Sequence, residues 1–204
     1  MPPQLLLQIG LPILAYLVGA IPCGLLLVRR FTRVDLRQEG SGNIGATNVA
    51  RTGGPALGLA TLAADMLKAF APVWAASVWG ASPVDPVIAA VAAVLGHSFP
   101  IYTRFRGGGK GVATTAGGFL WVAPPAVLCA TAAFLVAGAV SRRASVGSLA
   151  AALTLPVAVY AAAGSWTAAA GAALAAVLIF VRHADNIRRL AAGTEPVFRF
   201  GRKP

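Results

Sequence analysis

The block EGSGNIGATNVAR, residues 39–51, is polar and glycine-rich inside a chain that is 57% hydrophobic. Its chemistry is that of anion binding. Gly40, Gly42 and Gly45 permit positive φ, so backbone N–H groups can converge on an oxyanion. Ser41, Asn43, Thr47 and Asn48 add hydrogen-bonding side chains, and Arg51 ends the block with a guanidinium suited to phosphate or carboxylate. A second block, RFRGGGKG at 104–111, sets Gly107, Gly108 and Gly109 before Lys110 and Gly111. Bare backbone amides there can approach a phosphate, with the ammonium as a point charge. It is not a Walker A loop, which needs Gly at 104 and Ser or Thr at 111, where this chain has Arg104 and Gly111. Glycines also permit tight packing loops. A second Gly/Arg block favours the phosphate cradle.

The third block, RHADN at 182–186, carries His183 and Asn186 three residues apart, on one face of a short helix. His183 is the candidate general base near neutral pH. Asp185 is expected to pair with Arg188 or Arg189, and Gly193 to stop the helix. The other histidine, His97 in GHSFP, is expected to be an interfacial residue hydrogen-bonded to a loop. Ser41 has no GxSxG elbow and no Ser-His-Asp spacing, so it reads as a hydrogen-bond donor to phosphate rather than a nucleophile. Ser145 and Ser148 in RRASVGS either add hydroxyls to the site or cap a helix start. Asp65 and Lys68, three apart in an apolar run, either serve function or satisfy each other as an ion pair.

The elements that hold these blocks are membrane helices. With 204 residues, 11% charged residues and mean hydropathy +0.75, the chain is an integral membrane protein of one domain, residues 1–204. Its net charge of +11 reflects basic loops and anionic substrates or lipid headgroups, not nucleic acid. Cys23 and Cys129 lie in apolar runs and read as small buried residues, and no protein-held metal is expected. The first run is too long for a cleavable signal.

Apolar stretches fall at 5–28, 55–80, 86–100, 112–123, 126–140, 147–163 and 166–181. The fold class is therefore all-α polytopic, with seven membrane helices and the N-terminus outside. Of the 17 basic residues, only Lys68 sits within an apolar run. The others fall in segments 29–54, 101–111, 141–147 and 182–204, which parity places together on the cytoplasmic side. That parity requires a turn at Pro124–Pro125, where a proline pair cannot continue a helix. Its cost is a helix over 112–123 only about 18 Å long, short of a roughly 30 Å hydrocarbon core. Trp79, Trp121 and Trp166 fit an aromatic belt at the outer turns.

SGNIGATNVAR, GHSFPIYTRFRGGGKGVAT and RHADNIRRLAAGTEP resemble, in order and spacing, the three cytoplasmic motifs of the bacterial acyl-phosphate:glycerol-3-phosphate acyltransferases. The resemblance runs from about residue 10 to 196. It implies seven membrane helices, a cytoplasm-facing site in the bacterial inner membrane, and a role in phospholipid synthesis. Ser41, Arg51, Lys110, His183 and Asn186 fall on the family's essential polar positions. Thr47 and one serine of RRASVGS, Ser145 or Ser148, correspond to acyl-phosphate contacts.

The residues agree with that expectation. Acyl phosphate is an activated anhydride, so acyl transfer from it needs no cofactor. Two phosphorylated substrates together carry about −4, which suits Gly-lined loops with Arg51 and Lys110. The partners are then glycerol 3-phosphate, long-chain acyl phosphate and the bilayer, with a monomer expected to suffice. A thioester-dependent acyltransferase would carry His-x4-Asp. Here Tyr102 follows His97 and Arg188 follows His183 at that spacing. A phosphate transporter would need a polar path across the bilayer, and the helices offer only Asp65 and Lys68.

Overall fold

The computed structural model describes residues 3–80 and 82–197, and within them the chain is all-helical apart from turns and loops. The tail cations Arg199, Arg202 and Lys203 lie outside the described residues.

The first apolar run forms two helices rather than one: α1 (Pro3–Gly19) and α2 (Cys23–Phe31), broken at Ala20–Pro22. Pro22 lacks an N–H and disfavours helix in the residue before it. The break releases the Ile21 carbonyl, which accepts from Lys68 Nζ at 2.8 Å. The loop after α2 contains a short helix, α3 (Ala46–Gly53), followed at once by α4 (Pro55–Trp79). Gly54 separates the two at φ 96°, a value that suits glycine. Helix α5 (Asp85–Ser98) follows, and its end leads through a single 3-10 turn, Ile101–Thr103, into the second glycine block.

Helices α6 (Val112–Val122) and α7 (Pro124–Ser141) meet at Ala123, so the proline pair opens α7. Proline is tolerated there because the first helical N–H groups have no intrahelical partner. Helix α8 (Ala144–Ala163) begins three residues earlier than its apolar run, which puts Ser145 and Ser148 inside its first turns. They do not cap it; Arg143, with extended backbone, holds that position. Helix α9 (Trp166–Arg182) is capped by Ser165, whose hydroxyl accepts from Ala168 N at 3.2 Å. A bend of 59° at His183 then starts α10 (Ala184–Ala191). Gly193, at φ 69°, follows its end.

Among the described residues, five spans are long and apolar enough to cross a membrane: Gln4–Phe31, Pro55–Trp79, Asp85–Thr103, Pro124–Ser141 and Ala144–Ala163. The bent pair α9–α10 makes a sixth, while α6 is a shorter apolar helix of 11 residues. Large hydrophobic side chains stand exposed along these helices, including Leu128, Leu135, Val157 and Leu174, as lipid-facing surfaces require. Cys129 is also exposed on α7, not buried, and both cysteines are free. Trp79 and Trp166 are exposed at helix ends, with Trp166 packed on Tyr160 at 4.1 Å. The interior is built from alanine and glycine, with Phe119 its largest fully buried side chain. Such small residues let helix axes approach. A Cβ on Gly19 would strike the Ala93 backbone, and one on Gly96 the Tyr16 backbone, so α1 and α5 touch main chain to main chain.

Candidate active site

The polar segments converge on one pocket of about 370 Å³, a volume in the range of ligand sites. Its wall takes Gly40, Ser41, Asn43, Gly45 to Asn48 and Arg51 from the first block, Lys110 to Ala113, Ala144, Ser145 and Ser148 from α8, and His183, Asn186, Arg189 and Glu195. Leu62 and Phe134 close its apolar side.

The first block is organised by Asn48. Its Oδ1 accepts from Ser41 N at 2.8 Å, and its Nδ2 donates to Glu39 O at 3.1 Å and Leu36 O at 3.4 Å. A buried asparagine with its amide so occupied holds the loop and has little left for a ligand. Asn48 lines the pocket, and its amide is spent chiefly on holding the loop around it. Asn43 Oδ1 likewise accepts from Gly45 N at 2.9 Å, forming an Asx turn before α3. Gly42 is not in the pocket wall, and its N–H donates to Glu39 O. Ser41, Thr47 and Arg51 do line the pocket, all three exposed. Their side chains have no hydrogen-bond partner among the described residues.

The second block departs from expectation. Gly107, Gly108 and Gly109 are absent from the pocket wall; Lys110 and Gly111 are in it. Gly109 N donates to His97 O at 3.0 Å. Arg182 donates from Nε to Gly109 O at 3.1 Å and from a terminal nitrogen to Gly108 O at 2.7 Å. A Cβ on Gly108 would strike Ser98 O, and one on Gly109 the His97 ring. Gly108 and Gly109 lie directly over the end of α5, where a side chain would not fit, and so dock the loop there. That docking places Lys110, whose Nζ donates to Asn186 Oδ1 at 2.5 Å. Burial lowers the Lys110 ammonium from 10.5 to about 8; the Glu195 carboxylate opposes the fall, and Arg189 and Arg182 add to it.

In the third block, His183 Nδ1 lies 2.8 Å from Ile179 O, so Nδ1 carries the ring proton and Nε2 is a bare acceptor. Burial and the Lys110 cation lower this imidazole to about 4, against the support of the Ile179 bond. It is therefore neutral near pH 7 and accepts hydrogen bonds. Asn186 Nδ2 donates to Glu195 Oε1 at 2.7 Å, which leaves one amide N–H unused. Arg189 Nε donates to Glu195 Oε2 at 2.8 Å, while Asp185 pairs with Arg188 at 3.3 Å on the exposed side. Burial alone would raise the Glu195 carboxyl, but Ser145, Asn186 and Arg189 outweigh it and hold it below 4.5. Of the two serines, Ser148 donates to Ala144 O at 2.9 Å, whereas the buried Ser145 hydroxyl has no partner meeting hydrogen-bond geometry. The Ser145 hydroxyl faces the Glu195 carboxylate and, unlike that of Ser148, is not bonded to the helix backbone.

Residues 9–193 match the family model described as glycerol-3-phosphate acyltransferase. The chain belongs to that family. It is an acyltransferase, like its relatives. The glycerol-3-phosphate acyltransferase of Geobacter sulfurreducens is 47% identical over 194 residues, covering 94% of this chain and 98% of that one. That of Thioalkalivibrio sulfidiphilus is 46% identical over 193 residues, covering 94% of each. Among solved structures, the chain is similar to PlsY (YgiH), an integral membrane glycerol 3-phosphate acyltransferase, in its glycerol 3-phosphate form. The TM-score is 0.86 at 35% identity, with 94% of this chain and 96% of that chain covered. The lysophosphatidic acid form of the same protein gives 0.84 at 34% identity, covering 94% and 95%.

Three ionisable pocket residues were not assigned to this site from sequence, Glu195, Arg189 and His97, and Asp65, whose function was left open, joins them. Glu195 stands nine residues beyond Asn186, and only the turn at Gly193 folds it back. Asp65 and Lys68 do form their ion pair, at 2.8 Å, but Asp65 also faces the pocket. His97 is buried rather than interfacial: its backbone carbonyl accepts from Gly109 N, while its ring turns inward to Lys68.

Proposed function

We propose that this chain transfers a long-chain acyl group from acyl phosphate to the 1-hydroxyl of glycerol 3-phosphate, giving lysophosphatidic acid and inorganic phosphate. The reading rests on one observation. A single pocket joins unpaired cations, free hydroxyls and a bare imidazole nitrogen to an apolar wall of Leu62, Val112 and Phe134. Arg51, Lys110, Ser41 and the start of α3 hold the phosphates, and Thr47 and Ser145 add hydroxyl contacts to the donor. The acyl tail leaves along the apolar wall toward lipid. We read the chain as seven membrane elements with the N-terminus outside and the pocket facing the cytoplasm from the inner membrane, a reading supported by the clustering of the basic segments. In this reading a single chain suffices for activity.

The glycerol 1-hydroxyl attacks the acyl carbonyl carbon, the carbon–oxygen bond to phosphorus breaks, and phosphate leaves with the electron pair. Asn186's free N–H and Lys110 steady the oxyanion. His183 Nε2 accepts from the attacking hydroxyl and orients it. A phosphate with a second pKa of about 6 is a better final proton acceptor than an imidazole lowered to about 4. Transfer is direct, because no base contacts Ser41 and the donor is already activated. Purified protein should release phosphate only when acyl phosphate and glycerol 3-phosphate are both present. A phosphate burst with acyl phosphate alone, and an acyl adduct by intact-mass spectrometry that Ser41→Ala abolishes, would make Ser41 the nucleophile instead.

A further inference from the structure

Beside this pocket, three ionisable side chains from α4 and α5 form a cluster that the mechanism above does not use. Asp65, Lys68 and His97 are 2%, 7% and 5% exposed. Such groups are costly at this depth unless each is partnered. The Lys68 ammonium donates to Ile21 O at 2.8 Å, lies 2.9 Å from His97 Nδ1 and forms an ion pair with Asp65 Oδ1 at 2.8 Å. An ammonium donates and cannot accept, so His97 Nδ1 must present a lone pair. Donation from Nδ1 to Asp65 is ruled out by their 3.7 Å separation. The ring proton of His97 is therefore on Nε2.

That nitrogen points at Gly109, since a Cβ built on Gly109 would fall on it before any other atom. It has no hydrogen-bond partner among the described residues, although His97 lines the pocket and is nine-tenths buried. A ring N–H of a pocket-lining histidine with no protein acceptor is available to a ligand. The adjoining residue is Lys110, the cation of the site. His183, in the same wall, is fixed the opposite way, with Nδ1 protonated and Nε2 bare. The pocket thus holds two neutral imidazoles of opposite tautomer, one accepting and one donating.

We infer that His97 is a second substrate-contacting histidine, donating from Nε2–H to a phosphoryl oxygen bound beside Lys110, and that Lys68 and Asp65 are positioning residues that fix its tautomer. This rests on the proposed function only in taking the ligand to be a phosphorylated substrate. Break of the first apolar run at Pro22 acquires a purpose in this arrangement, because the released Ile21 carbonyl completes the Lys68 shell.

The chain has two histidines, so 15N-histidine labelling gives a two-residue imidazole spectrum in micelles. His97→Asn assigns the signals. Wild-type His97 should show the Nε2–H tautomer and His183 the Nδ1–H tautomer. Inorganic phosphate, glycerol 3-phosphate and a non-hydrolysable acyl phosphonate are then added separately. A shift of His97 Nε2 with glycerol 3-phosphate assigns the contact to the acceptor substrate, and one with the phosphonate to the donor. An Nδ1–H tautomer at His97, or silence toward all three probes, overturns the inference.

In kinetics, His97→Gln keeps an amide donor where Nε2 stood, and His97→Asn does not. Asn should lower kcat/KM roughly ten- to a hundredfold, the range for a hydrogen bond to a charged group, while Gln retains most of it. Equal losses in both variants would mean a packing role and sink the proposal. The double variant Asp65→Asn, Lys68→Met should let both His97 tautomers appear. A single unchanged Nε2–H tautomer there would remove Lys68 from the account. If wild-type protein fails to use acyl phosphate yet phosphate still moves His97 Nε2, the activity is wrong and this contact stands.

Discussion

Lys110 offers a test in which activity and stability move in opposite directions. Its ammonium is lowered from 10.5 to about 8 by burial, so it is about nine-tenths protonated at pH 7 and about one-tenth at pH 9. The phosphates of both substrates keep their charge over that range. kcat/KM reports the free enzyme, and should fall roughly tenfold between pH 7 and pH 9 as the cation is lost. Stability has the other sign. Between about 8 and 10.5 the unfolded chain still binds a proton that the folded protein has shed, so the Lys110 contribution to stability rises with pH. Alkaline inactivation without a lower thermal midpoint is the expected signature, measured by phosphate release and thermal unfolding across the same buffers. Lys110→Ala should cost about ten- to a hundredfold and flatten the profile above pH 7. Lys110→Arg should also flatten it, because a guanidinium stays charged, though at a lower plateau since its fork does not reproduce the contact with Asn186 Oδ1. An unchanged alkaline fall in Lys110→Ala would assign that titration to another group and refute the reasoning.

Three further outcomes are expected. Glu195→Ala frees Asn186 and Arg189 at once, so it should cost about 1–3 kcal/mol and lower the thermal midpoint together with activity; wild-type melting would remove Glu195 as the clasp of the third block. Glu195's own contribution is present above its ordinary 4.5 and is lost as acid protonates it in the folded state. Gly109→Ala puts a methyl on the His97 ring and should damage turnover severely, whereas Gly107→Ala, whose nearest neighbour is Arg37 Nε at 3.4 Å, should cost only about 1–2 kcal/mol of backbone strain in thermal melts; equal kinetic damage from both would restore the phosphate cradle. Single cysteines at Ser82 and Arg142, in a background lacking Cys23 and Cys129, should react with impermeant maleimide from opposite sides of the membrane, and labelling of both from one side would undo the proline-turned hairpin.

Much of this molecule is written in local composition. Apolar runs placed α4 through α9 within a few residues, because a lipid environment tolerates few charges in a helix and the interruptions are therefore sharp. Ser41, Arg51, Lys110, His183 and Asn186 were readable as polar exceptions to that rule, and all five reach the pocket. Side-chain type reveals capacity in this way: an arginine or histidine in an apolar chain implies an anion or a proton. It does not reveal how that capacity is used. Asn48 has the right atoms to bind a ligand, and the structure uses them chiefly on the loop. Gly108 and Gly109 look like part of an anion nest, yet α5 and Arg182 take up the space and the carbonyls around them.

Hydrogen-bond partners are long-range facts. Lys110 meets Asn186 across 76 positions, Arg182 meets the glycine run across 73 and 74, and Lys68 meets His97 across 29. Sequence alone determined that this chain is a bundle of membrane helices with basic, glycine-rich loops, because burying charge in lipid is costly enough to be visible residue by residue. Tertiary structure decided which loop atoms remain free, which tautomer each histidine carries and where Glu195 returns, because each depends on geometry among groups that are distant along the chain.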